Sequence, residues 1–159
     1  NGSISKERKT EYSVKKYQDR ISFIKNKKMH YEKSIALDYK HIPFFRLLMK
    51  AYNNAQKKSE CSFDYFIIFN ITDSKDEIKD SLKINVNKDK FYIKSVLGED
   101  LLKEKPVMVI RINFKYYFGL LTGIYHWNNA EIGSNYFTYR EPNKYYIEVY
   151  NYLNYLSLI

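Results

Sequence analysis

The residues best suited to chemistry in this chain are cationic. Lys15, Lys16, Arg20, Lys25, Lys27 and Lys28 cluster in one short stretch near the start. Ammonium and guanidinium groups at this density contact phosphate oxygens and displace counterions without reading base identity. The charge distribution supports that reading. Residues 1–60 hold 15 Lys+Arg against 6 Asp+Glu, an excess of +9, and residues 61–159 hold 12 of each. The whole formal charge of +9 therefore belongs to the first 60 residues, and an asymmetry of this kind points to an anionic partner, most often nucleic acid.

Other reactive groups are sparse. His30, His41 and His126 lie far apart, none with a second ligand at zinc spacing, so no metal or other cofactor is expected from them. The glycine patterns G-x-x-x-x-G-K-[ST], G-x-G-x-x-G and G-x-S-x-G are absent, which lowers the standing of the usual nucleotide-dependent and acyl-transfer enzymes. Cys61 is the only cysteine. It cannot form an internal disulfide, which fits an intracellular setting, cytoplasmic or nuclear, and inert packing is its expected role. The longest apolar runs, such as Val107-Met108-Val109-Ile110, fall far short of a membrane span. The chain begins at Asn1 rather than Met, as a processed or excised segment would, or one with a tag remnant at Asn1-Gly2-Ser3.

The elements that position these groups follow from periodicity. Val14, Tyr17, Ile21 and Ile24 recur at spacings of three and four, so Ser5 to Met29 is expected to form an amphipathic helix with a narrow apolar stripe and a wide basic surface. Pro43 opens a second helix carrying Phe44, Leu47, Leu48, Ala51, Tyr52 and Ala55 on one face. A helical turn is an option between Ser34 and Lys40. Ser62 to Thr72 reads as a strand with both faces covered. Asp73 to Glu77 suits a turn, or the start of a short helix toward Leu82. Leu82, Ile84 and Val86 alternate with Lys83, Asn85 and Asn87, which predicts a half-exposed strand, paired through a reversal at Asn87-Lys88-Asp89-Lys90 with Phe91 to Val96. Gly98 to Lys105 is expected as a short helix stopped by Pro106, followed by strands at Val107 to Asn113 and Lys115 to Tyr125. Asn128-Asn129 and Gly133-Ser134-Asn135 mark loops. The tail from Tyr145 has helical spacing at Tyr146, Val149, Leu153 and Leu156, while its composition also suits a strand. Helix is preferred. The expected fold is α+β, with N-terminal helices packed on a mixed or mainly antiparallel sheet of about five strands, in one domain over 1–159 comprising a basic helical part (1–58) and a neutral, aromatic-rich sheet part (59–159).

This order of a helix, a strand with Asp64 near its start, a hairpin ending in Tyr92-Ile93-Lys94, a short helix and the strand at Val107 is similar in pattern to PD-(D/E)xK nuclease cores. The resemblance implies that Asp64 stands for the first metal-binding acid and Lys94 for the lysine, with Mg²⁺ as cofactor and phosphodiester hydrolysis as the reaction. Tyr92 occupies the place of the second acid and cannot replace a hard anionic ligand, leaving Glu99 or Asp100 to supply one. With that ligand missing, the resemblance implies a nuclease-like domain that keeps nucleic-acid affinity without full catalysis. Outside the resemblance, Asp64 reads as a strand-end acceptor and Lys94 as a solvated edge lysine.

The second concentration of function is aromatic. Ten tyrosines lie between Tyr116 and Tyr155, together with Phe118, Trp127 and Phe137. Exposed rings serve as base-stacking platforms or as hot spots in protein interfaces. The low local charge favours a protein partner here, with Tyr136, Tyr139 and Tyr146 as candidate interface residues. The first expectation for the whole chain is a nucleic-acid-binding module, weakly catalytic or not catalytic. The alternative is a protein-interaction or assembly domain.

Overall fold

The computed structural model of the protein describes residues 14–16, 18–23, 37–98 and 103–159. The chain divides into two compact units, Asn1–Ala36 and Leu37–Ile159. In the first, residues 14–16 and 18–23 are helical and exposed. The rest of the expected Ser5–Met29 helix lies outside the described residues. The boundary at residue 36 places the helix opened by Pro43 with the sheet rather than with the basic N-terminus.

The second unit is α+β. After a 3-10 turn at Tyr39–His41 come helix α1 (Phe44–Lys58), strands β1 (Phe66–Thr72), β2 (Ile78–Asn85), β3 (Ile93–Ser95) and β4 (Val107–Asn113), helices α2 (Phe114–Leu121) and α3 (Trp127–Ile132), strand β5 (Phe137–Glu141) and helix α4 (Ile147–Asn154). The five strands form one mixed sheet in the order β3-β2-β1-β4-β5. β1 is parallel to β4, and every other pair is antiparallel.

Side chains alternate across a strand, so the registers assign each residue to a face. Ile67, Phe69 and Ile71 stand beside Ile84, Leu82, Met108, Ile110 and Ile112 on one face. The helices cover that face: the Phe69 ring meets Tyr117 at 5.1 Å and Trp127 at 5.8 Å. α1 packs on α2 and α4, with Leu48, Ala51, Tyr52 and Ala55 fully buried, as their spacing predicts. Tyr52 ties this layer to the hairpin. Its hydroxyl donates to the Asn85 carbonyl at 2.7 Å, lies 3.0 Å from the Lys90 carbonyl and accepts the Tyr92 N–H at 3.1 Å. The hairpin itself forms as expected, with Lys83 opposite Lys94 and Ile84 opposite Ile93.

Several local expectations are corrected. Lys115 to Tyr125 is not a strand. Asn113 caps a helix there by accepting the Lys115 N–H at 3.0 Å, and Phe114, Tyr117, Leu120 and Leu121 recur at helical spacing along the buried side. Gly119, which reads as a break in a strand, is instead a point of close approach: a Cβ there would lie 2.2 Å from the Tyr125 ring. The turn at Asn128-Asn129 is helical, inside α3. The fifth strand is β5, built from a segment whose short length and flanking loops gave little strand signal. β1 begins at Phe66 rather than Ser62, and Asp73–Glu77 is a turn into β2, not a helix. β2 is not half-exposed, because Ser81, Lys83, Asn85 and Asn87 are buried on the face away from the helices or at the strand's end. Lys83 tolerates this by pairing with Glu104 and placing its Nζ 4.3 Å from the Phe66 ring centre. Of the expected helix at Gly98 to Lys105, residues 99–102 lie outside the described residues and 103–106 are bends. The tail does form a helix, α4, burying Val149, Tyr150, Tyr152 and Leu153.

Candidate functional site

Strand β5 ends the sheet, with β4 on one side only. Its register places Phe137, Tyr139 and Glu141 on the face away from the helices, opposite Arg111, Val109 and Val107. Phe137 is 78% exposed and Tyr139 50%. Tyr139 makes a hydrogen bond only two residues along its own strand, donating to Glu141 at 2.9 Å. Glu141 also pairs with Lys105 at 3.2 Å, and the two contacts hold its carboxyl below the usual range. Ile132, at the end of α3, is 85% exposed, and Ile147, which opens α4, is 54% exposed. The chain segment around the sheet's last strand thus presents large apolar groups that the fold does not use.

The other face of β5 is rigid. Arg140 donates to the Tyr150 hydroxyl at 2.8 Å, and its guanidinium carbon lies 6.0 Å from the ring centres of both Tyr145 and Tyr150. Those two rings stack 4.2 Å apart at 14°. Glu131 completes the group. Desolvation raises its carboxyl, while Arg140 and a hydrogen bond from Tyr150 pull the other way. The strand is therefore fixed in place by a cation held against two rings, while its outer rim stays open.

The candidate interface tyrosines separate into three environments. Tyr136 is buried beside Trp127, 6.0 Å between ring centres, and burial raises its phenol. Tyr146 is half-buried against Phe63 and Tyr65, with the Lys144 ammonium 4.9 Å above its ring. Tyr139 alone of the three stands out from the surface.

Asp64 and Lys94 occupy different settings. Asp64 precedes β1, where the Lys90 ammonium and the side-chain amides of Asn85 and Asn87, at 2.9 and 3.1 Å, converge on its carboxylate. These three donors, Lys90 foremost, lower its pKa to about 2. Lys94 lies on edge strand β3 across from Lys83. Tyr92 contributes its ring to the Phe66 contact, 5.8 Å away. Glu99 and Asp100 lie outside the described residues, and among the described residues no group of three or more His, Cys, Asp or Glu is placed to hold a metal. Cys61 is buried and its thiol is pushed up by burial. Lys15, Lys16 and Arg20 are exposed, and Lys25, Lys27 and Lys28 lie outside the described residues.

Sequence reasoning missed the Arg140–Tyr145–Tyr150 group and counted Phe137 among the aromatics without choosing it as an interface residue. The available signal was the alternation of Phe137, Tyr139 and Glu141 with Thr138 and Arg140.

Fold and site together define an α+β domain with an open, aromatic sheet edge. Comparison with protein-family models, curated proteins and solved structures finds no match to the chain. Among the described residues no helix is long and apolar enough to cross a membrane.

Proposed function

We propose that the Leu37–Ile159 unit is a protein-interaction domain that receives an extended segment of a partner protein along the outer edge of β5. The observation that supports this reading is the exposure of Phe137 and Tyr139 on a strand with no neighbouring strand on its outer side among the described residues. Edge strands that stand alone are usually short, charged, bulged or covered, because their unpaired N–H and C=O groups recruit other chains. β5 carries large rings at that position instead. Its backbone would provide affinity, and its alternate side chains would set the partner's sequence. The setting proposed is intracellular, in keeping with a lone buried cysteine.

Selection of random peptides on the full chain tests the reading. Peptides with apolar residues at alternate positions should emerge, and Phe137→Ser with Tyr139→Ser should weaken them about tenfold or more. Selected peptides that bind the double variant as well as the parent would overturn it.

A second reading rests on a separate observation, the exposure of Lys15, Lys16 and Arg20 on helical residues within the part that carries the charge excess. It is contact with nucleic-acid phosphates. Binding of labelled DNA or RNA should fall steeply between low and physiological salt, and absence of binding at low salt would dismiss it.

A further inference from the structure

At the opposite end of β1 from Asp64 lies a cleft of about 710 Å³, within the roughly 300–1,000 Å³ of small-ligand sites. Its apolar wall is aromatic. Tyr39 and Phe114 meet edge to face, 5.8 Å between ring centres, and Tyr39 also leans on Phe44. Burial first, then the charge of Asp80, pushes the Tyr39 phenol up to about 12.

Its polar wall contains three lysines, Lys40, Lys79 and Lys115, and two aspartates, Asp38 and Asp73. Both acids are already committed. Asp73 accepts the N–H groups of Lys75 at 2.8 Å and Glu77 at 3.0 Å, and pairs with Lys79 at 3.2 Å. Asp38 accepts the Lys40 N–H at 3.2 Å and faces His41 at 3.6 Å. Lys79 is committed in turn, to Asp73 and Glu77. Neither Lys40 nor Lys115 has a carboxylate within ion-pair distance among the described residues. Lys115 also stands in the first turn of α2, a turn with no acidic residue, so the positive end of that helix adds to the same pole.

We propose that this cleft binds a small molecule that joins a planar ring to an anionic group, phosphate or carboxylate. The ring lies against Tyr39 and Phe114, and the anion is held by Lys115 and Lys40. The placement supplies an anion to two cations that have no carboxylate partner among the described residues, Lys115 being held with its ammonium 6.0 Å from the Phe114 ring centre, beside the apolar wall.

Phenyl phosphate is the minimal probe, with inorganic phosphate and phenol as its two halves. Titrated into the full chain and followed by NMR, phenyl phosphate should shift Tyr39, Phe114 and Lys115 signals saturably, and bind at least about tenfold tighter than either half. Phenylacetate, a phenyl ring joined through a methylene to a carboxylate, should compete if carboxylate serves as well. Lys115→Ala and Lys40→Ala should each weaken binding by about tenfold. Three results would overturn the proposal: equal affinity for inorganic phosphate alone, shifts spread over all lysines without saturation, or no shift up to about 10 mM probe.

Discussion

Tyr52, on helix α1 against the β2–β3 hairpin, and Tyr139, on strand β5, carry the same side chain, and the fold uses them differently. The Tyr52 ring is fully buried, and its hydroxyl joins three backbone groups of the β2–β3 hairpin. Tyr139 is half-exposed and bonds only to Glu141. At the β3 end the edge strand is only three residues long. At the β5 end the edge strand is five residues long and displays rings. The difference teaches that aromatic richness has two causes here. One population builds the core, where Tyr52 and Trp127 reach backbone carbonyls while the buried Tyr117 and Tyr152 hydroxyls lack a partner among the described residues, and the other has no folding role that the structure reveals.

Substitutions at the two ends separate these causes. The largest effect is expected at the core. Phe69→Ala, which empties the space against Tyr117 and Trp127, should cost about 3–5 kcal/mol in urea unfolding. Tyr52→Phe should cost about 1–3 kcal/mol, because it removes the acceptor of the Tyr92 N–H and leaves the Asn85 carbonyl with only the longer Gln56 amide contact. Asp64→Asn should have a smaller effect that depends on pH. The Asp64 carboxyl is lowered to about 2 in the folded chain, against an unfolded value of about 3.9. Its ionised form therefore stabilises the fold above about pH 4, and the contribution disappears as pH falls through about 2. Unfolding midpoints of parent and variant should converge across that window, and added salt should narrow their difference. Phe137→Ala and Tyr139→Ala should change stability least, by no more than about 0.5 kcal/mol. A loss at Phe137 as large as that at Phe69 would erase the distinction between the two ends.

Much of the scaffold was legible because local signals agreed with tertiary demands. The face carrying Phe44, Leu48, Ala51, Tyr52 and Ala55 needed a partner, and the sheet supplied it. The alternating hairpin needed a reversal, and Asn87 to Lys90 provided it. The failures have physical causes. Phe114 to Leu121 has the aromatic content of a strand, and the decision for helix comes from the Asn113 cap and from packing against Phe69 and Phe44. Lys83 and Asn85 read as solvent-facing because polar residues usually are, and only the Glu104, Phe66 and Asp64 contacts accommodate their burial. Phe137 to Glu141 is short, and its strand character depends on β4, more than twenty residues away in the chain. The sequence singled out Tyr139 as a candidate ring, and the structure places it half-exposed on β5, whereas Arg140 acquires its place only when α4 brings Tyr150 beside it.

The proposal that β5 receives an extended segment makes a demand on backbone hydrogen bonds that side-chain contacts do not. A peptide selected on the domain can be N-methylated at one residue at a time, which deletes single amide donors and leaves the side chains in place. Pairing along β5 predicts that methylation at alternate residues weakens binding strongly and methylation at the intervening ones hardly at all. Equal sensitivity at every position, or none at any, would contradict it.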